Sequence, residues 1–128
     1  MNTVAIILPA YNEEQTIKAT IEDFHMSMPE AYIWVINNHS RDKTEIIART
    51  TLSSLGCQGG VINERRPGKG NAVRRAFMDI DADIYILSDA DMTYPAAQAQ
   101  KLMTPVIAGE ADMVVGDRHS GGHYAAEN

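Results

Sequence analysis

Ile84-Tyr85-Ile86-Leu87-Ser88-Asp89-Ala90-Asp91 is a short apolar run that ends abruptly in two carboxylates, two residues apart. The run is rich in β-formers and reads as a buried strand, so Asp89 and Asp91 emerge just past its C-terminal end. In an open α/β sheet that edge is where ligands bind. Two carboxylates on one short turn can hold a hard divalent cation through oxygen and leave most of its sites to water and substrate phosphates, as Mg²⁺ prefers. Asp-x-Asp alone is a cheap pattern, and Asp79-Ile80-Asp81 and Asp81-Ala82-Asp83 repeat it. Those copies fall where a helix ends and the strand begins, at the opposite edge of the sheet, where a solvated acidic turn is expected.

Outward from that stretch, the chain alternates strand and helix. Val4-Ala5-Ile6-Ile7-Leu8 is a continuous apolar run closed by Pro9, the pattern of a central parallel strand buried on both faces. Pro9-Ala10-Tyr11-Asn12 is the turn after it. Asn12 is expected to cap the next helix, with Gln15 completing an approximate capping box, and Ile17, Ile21, Phe24 and Met28 form its apolar stripe. Tyr32 to Ile36 reads as a second strand that ends in Asn37-Asn38-His39-Ser40. Asp42 with Glu45 marks another helix start, Ile47, Ala48, Leu52 and Leu55 its inner face, and Gly56 its stop. A third strand near Gly60 to Asn63 is weakly signalled.

Arg65-Arg66-Pro67-Gly68-Lys69-Gly70-Asn71 leads into a helix whose apolar face is Ala72, Val73, Ala76, Phe77 and Ile80. Glycines at a helix start let backbone N–H groups approach an anion, and Lys69 adds a mobile charge. The Walker spacing is absent, and so is a G-x-G-x-x-G after the first strand, which excludes an ordinary P-loop ATPase and argues against a nicotinamide dehydrogenase. Downstream, Pro95 opens a helix through Leu102, Met103, Val106 and Ile107. Asp112 to Gly116 is a last strand with Asp117-Arg118 at its end, followed by a polar tail. The glycines between His119 and His123 exclude a rigid helical metal pair.

The 128 residues fit one domain, with an ordinary apolar share of 45%. No apolar run reaches the length of a membrane span and no signal-like segment leads the chain, so a soluble, cytoplasmic protein is expected, with any membrane contact through further segments or a lipid acceptor. The single cysteine, Cys57, fits a reducing compartment. A net charge of −6 leaves no broad basic footprint for nucleic acid. Yet five of the eleven Lys and Arg residues, Arg65, Arg66, Lys69, Arg74 and Arg75, fall in one short stretch. For Arg74 and Arg75 a solvated helix face is the expected reading. These alternations predict an α/β fold, Rossmann-like, with a mostly parallel sheet and helices on both faces. Such a sheet gathers the polar strand ends at one edge, a nucleotide-sized site.

The motifs, in order, resemble those of the inverting glycosyltransferase family 2, and within it the dolichyl-phosphate or polyprenyl-phosphate sugar synthases. Leu8-Pro9-Ala10-Tyr11-Asn12-Glu13-Glu14, Asn37-Asn38-His39-Ser40-Arg41-Asp42, Gly68-Lys69-Gly70-Asn71, Asp89-Ala90-Asp91 and Val115-Gly116-Asp117-Arg118 carry the resemblance. It implies a GT-A fold, a UDP- or GDP-sugar donor, a Mg²⁺ or Mn²⁺ cofactor and a polyprenyl-phosphate or other acceptor. By the resemblance Pro9, Ala10, Tyr11 and Glu13 line the nucleoside pocket, Asn37 and Asn38 lie toward the base, and Lys69 lies nearby. Asp89, Ala90 and Asp91 form the Asp-x-Asp turn whose two carboxylates bind the metal, and Arg118 reaches the diphosphate. Residues 1–118 are then the nucleotide-sugar-binding core, and 119–128 a polar tail at the start of an acceptor-binding half that would carry any catalytic base.

Where the family commonly has Asp-Asp-Gly-Ser, this chain has Asn37-Asn38-His39-Ser40. An Asn carbonyl can accept from a base N–H, but its amide adds a donor, which leaves base preference open at this stage. Two alternatives compete. A sugar-phosphate nucleotidyltransferase wants a Gly-rich, Arg-containing loop after the first strand, and Pro9-Ala10-Tyr11-Asn12 supplies none. A non-catalytic, truncated fragment would self-associate as a homodimer through its exposed sheet edge.

Overall fold

The computed structural model describes residues 3–90, 113–116 and 124–127. Strand β1 (Val4–Ala10) is the inner strand that the apolar run predicts, paired in parallel with β2 (Tyr32–Asn37) on one side and β4 (Ile84–Leu87) on the other. Between them in sequence lie α1 (Ile17–Ser27), α2 (Thr44–Leu55), β3 (Gly59–Asn63) and α3 (Lys69–Asp79). The sheet is completed by β5 (Met113–Gly116), parallel to β4, and β6 (Tyr124–Glu127), antiparallel to β5. Its spatial order is β3-β2-β1-β4-β5-β6. The expected helix between β4 and β5 lies outside the described residues.

Alternation along β1 shows why a fully apolar run is needed there. Ile6 and Leu8 face α1 and α2, where they pack with Ile17, Ile21, Phe24, Ala48 and Leu52. Ala5 and Ile7 face α3, where Ala72, Ala76 and Ile80 complete a second core. Both faces are therefore buried, as in a doubly wound sheet, and each fully buried Ile or Leu stabilises the fold by about 1.5–3 kcal/mol. Phe77, expected on the inner face of α3, is instead 40% exposed and meets Tyr85 edge to face, centroids 5.0 Å apart. Among the described residues no helix is long and apolar enough to cross a membrane.

Three local expectations change. Helix α1 begins at Ile17 rather than beside Asn12, because Asn12 adopts φ 51° and uses its side chain on another loop. Tertiary hydrogen bonds there override the local capping signal. Arg75 does not lie on a solvated face: its Nε donates to Glu64 Oε1 at 3.3 Å. Four residues expected in a polar tail pair with β5 as strand β6.

Strand β3 starts one residue earlier than expected, at Gly59, with φ 118°. A Cβ there would lie 2.1 Å from the Ile33 carbonyl oxygen, a backbone atom in the paired strand. Gly59→Ala is therefore expected to lower unfolding free energy by about 3 kcal/mol, combining a left-handed φ with a clash that only strand separation relieves. Urea denaturation checks it; an unchanged midpoint would show that β3 pairs in another register.

Candidate functional site

The strand order reverses at β1: the chain moves from β1 to β2 and β3 on one side, then returns to place β4 on the other. The carboxyl ends of β1 and β4 thus diverge around a crevice, the position where open α/β sheets bind ligands. Pro9, Ala10, Tyr11, Glu13, Asn38, Lys69, Asp89 and Ala90 line it, around a volume of about 150 Å³. A larger groove of about 690 Å³ adjoins it, sharing Tyr11, Asn38 and Lys69 and adding His39, Arg41, Arg65, Pro67 and Gly68. Of the residues singled out in the sequence, these eight meet in one place. Asp91 and Arg118 lie outside the described residues. The other Asp-x-Asp carboxylates, Asp79, Asp81 and Asp83, are exposed at the opposite edge of β4.

Asn37 is not among the lining residues. It is buried at the end of β2, where its Nδ2 donates to Asn63 Oδ1 at 2.9 Å and its Oδ1 accepts from the Ser40 N–H at 3.3 Å. Asn38, also buried, does reach the crevice. Its Nδ2 donates to two carbonyl oxygens, Arg66 at 2.7 Å and Glu64 at 3.3 Å. Two carbonyls can only be met by an amide nitrogen, so the orientation of this side chain is fixed. Both amide protons are engaged, and Oδ1, with no partner among the described residues, is the atom left for a ligand.

Glu64 underpins that arrangement. Buried beside the crevice wall, its carboxylate accepts from the Arg66 backbone N–H at 2.8 Å and from the Arg66 guanidinium at 3.0 Å, with Arg75 at 3.3 Å. Hydrogen bonds from the Arg66 side chain and backbone, aided by the charges of Arg66 and Arg75, hold the Glu64 carboxyl down at about 2. The pair thereby fixes the segment whose carbonyls orient Asn38.

The loop after β1 and the loop after β2 are laced together. Asn12 N–H donates to Ser40 Oγ at 3.0 Å, and Asn12 Oδ1 accepts from the Arg41 N–H at 2.9 Å. Glu13 N–H donates to Thr44 Oγ1 at 2.8 Å, and Glu14 N–H to Asp42 Oδ2 at 3.3 Å. In return the Lys43 N–H donates to Glu14 Oε2 at 3.2 Å. Burial alone would raise the Asp42 carboxyl, but the hydroxyl and N–H of Thr44 and the N–H of Glu14 outweigh it and bring it below its ordinary value. Asn12 and His39 both adopt positive φ, 51° and 60°, as the tight turns require.

On the far wall, Gly68 adopts φ 104° and starts α3, which delivers Lys69 to the crevice. Lys69 Nζ lies 2.5 Å from Asp89 Oδ1. A cation therefore already sits on this carboxylate, and hard oxygen donors on a short turn suit Mg²⁺ or Mn²⁺. Among the described residues no group of three or more His, Cys, Asp or Glu side chains forms a closed metal cage. Sequence reasoning did not single out Thr16 and Thr20, whose hydroxyls reach the Ala90 carbonyl at 2.8 and 3.2 Å. The available signal was a threonine at position 20 within the apolar stripe of α1.

A doubly wound sheet with a carboxylate-bearing turn at its switch point, facing a cationic loop and an adjoining groove, has the organisation expected of a GT-A-type transferase domain. The chain belongs to glycosyl transferase family 2, whose sequence profile matches residues 5–125. It is 40% identical over 122 residues to Protein RfbJ of Shigella flexneri, a match covering 93% of this chain and 88% of that protein. It is 36% identical over 118 residues to Glycosyltransferase AglJ of Haloferax volcanii, covering 91% of this chain but 36% of that protein. Glucosyl-3-phosphoglycerate synthase from Mycobacterium tuberculosis, crystallised with Mn²⁺, UDP-glucose and phosphoglyceric acid, superposes with a TM-score of 0.72 at 28% identity. That match covers 90% of this chain and 43% of the synthase chain.

Proposed function

We propose that this chain forms the donor site of an inverting, metal-dependent sugar transferase that takes a UDP- or GDP-sugar. One observation carries the reading: Tyr11, Asn38, Lys69 and Asp89, from four separate segments, line a single crevice at the switch point of the sheet. The similarity to a synthase crystallised with Mn²⁺ and UDP-glucose supports it.

Each residue has a role in this reading. Tyr11, 56% exposed, offers a ring face to the base, and Pro9, Ala10 and Glu13 close the wall behind it. Asn38 presents only a carbonyl oxygen, so it suits a base with a ring N–H on its pairing edge, uracil or guanine. Adenine and cytosine place an acceptor there and are disfavoured. Asp89 and Asp91 hold Mg²⁺ or Mn²⁺, which when bound neutralises charge on the departing diphosphate. Lys69 and Arg118 add cationic contacts to the same phosphates. A polyprenyl phosphate acceptor is already anionic near neutral pH and would attack through its phosphate oxygen without a strong general base, whereas a hydroxyl acceptor would need one.

Calorimetric titration of UDP, GDP, ADP and CDP with Mn²⁺ tests this. UDP or GDP is expected to bind at least about 10-fold more tightly than ADP and CDP, the discrimination expected when one hydrogen bond is replaced by two facing acceptors. Absence of metal-dependent binding for all four would refute the donor-site reading.

A further inference from the structure

We propose that Thr16, assisted by Thr20, positions the Asp89-Ala90-Asp91 turn and thereby sets the affinity of the site for its metal, an inference that rests on the donor-site reading above. Ala90 separates the two carboxylates and is 1% exposed, so its carbonyl has to be satisfied from inside the protein. The Thr16 hydroxyl donates to it at 2.8 Å, while Glu13 Oε2, the competing acceptor, lies at 3.3 Å. A hydroxyl has one proton, and the nearer oxygen holds it. Thr20 also reaches the carbonyl, at 3.2 Å, but shares its proton with the Thr16 carbonyl at 2.9 Å. Thr16 is therefore the anchor of this carbonyl, and Thr20, whose proton is held by the nearer Thr16 carbonyl, contributes at most a shared contact.

The placement gives the contact a role beyond packing. Both threonines stand at the start of α1, the helix that follows the β1 loop and its nucleoside-facing residues. Ala90 belongs to the turn after β4. This hydroxyl-to-carbonyl contact links the residue that caps α1 to the turn after β4, which lines the crevice. Asp89 is bonded directly to Ala90, so a shift of the Ala90 backbone would move the Asp89 carboxylate. Groups that orient metal ligands without touching the metal commonly change its affinity by about 10–100-fold when removed.

The test compares Thr16→Val, Thr20→Val and the double variant, which keep shape and lose the hydroxyl, with Thr16→Ser, which keeps the hydroxyl. UDP and GDP affinities are measured by calorimetry across a Mn²⁺ titration and without metal, with thermal unfolding in parallel. Expected is a rise of about 10-fold or more in the half-saturating Mn²⁺ concentration for Thr16→Val, a smaller rise for Thr20→Val, unchanged metal-free nucleotide affinity, and recovery in Thr16→Ser. Unchanged Mn²⁺ dependence in a folded Thr16→Val variant would overturn the proposal. So would equal losses with and without metal, which mark a structural role. Failure of the wild-type protein to bind either nucleotide with Mn²⁺ would instead overturn the donor-site reading on which the proposal stands.

Discussion

Asp89→Asn is expected to weaken Mn²⁺-dependent nucleotide binding on the order of 100-fold, about 2.7 kcal/mol, while leaving the fold intact. The substitution preserves shape and one acceptor oxygen but removes the charge that faces Lys69 and, in the proposed site, the metal. Lys69→Met supplies the contrast. The Lys69 side chain is 57% exposed, so its pair with Asp89 is worth only about 0.2–1 kcal/mol. A divalent ion displaces such a partner readily. Removing it should tighten binding of Mn²⁺ alone by up to about 5-fold, the equivalent of that pair energy. The same variant should bind nucleotide with Mn²⁺ more weakly, because a cation facing the diphosphate is gone. Titrations of Mn²⁺ alone and of UDP with Mn²⁺ separate the two effects. If both variants moved Mn²⁺ affinity in the same direction, the Lys69–Asp89 pair would be supporting the site rather than occupying it.

Glu64→Gln is expected to cause the largest stability loss of any polar substitution among the described residues, and to flatten the response to acid. Glu64 is buried and its carboxyl titrates at about 2 in the fold against an ordinary 4.5. A depressed value means the charged form is favoured by folding, so its contribution is complete above pH 4.5 and is lost as pH falls toward 2. Glutamine cannot carry the charge, and its amide places N–H groups against the Arg66 and Arg75 guanidiniums. Urea midpoints at neutral pH and at successive steps below pH 4.5 measure both consequences. The variant should start lower and fall less steeply than the wild type; parallel curves would mean that Glu64 titrates normally. Since the carbonyls of Glu64 and Arg66 orient Asn38, nucleotide affinity should fall along with stability.

The sequence was most readable where burial is two-sided. Val4 to Leu8 could be placed at the sheet centre because only a strand covered on both faces needs five apolar residues in succession. Strand ends then located Tyr11, Asn38, Lys69 and Asp89, since a parallel sheet brings such ends to one edge, while Pro9 was placed by the family resemblance. Contacts between hydroxyls and distant carbonyls leave no such pattern. Thr16 lies 74 residues from Ala90 in sequence, and its neighbours look like an ordinary helix start. Asn12 misled for a related reason: its capping chemistry is real but directed at Arg41, 29 residues away. Arg75 was misread because its partner, Glu64, precedes the helix by a turn and a loop. Strand β6 lacks the apolar run that marks β1 and takes its place by pairing with β5. The orientation of the Asn38 amide could not be read from sequence, because it is set by the carbonyls of Glu64 and Arg66, 26 and 28 residues away.

The reciprocal bonds between Asn12, Glu13 and Glu14 and the Ser40–Thr44 segment carry one more consequence. Loops that order only around a ligand give up conformational entropy at the moment of binding, roughly 1–2 kcal/mol for each residue fixed. Here the ordering is completed when the protein folds. In the proposed donor site, nucleotide would then meet a wall held by these bonds before it arrives, and discrimination between bases would rest on which atoms that wall presents rather than on how far it can bend.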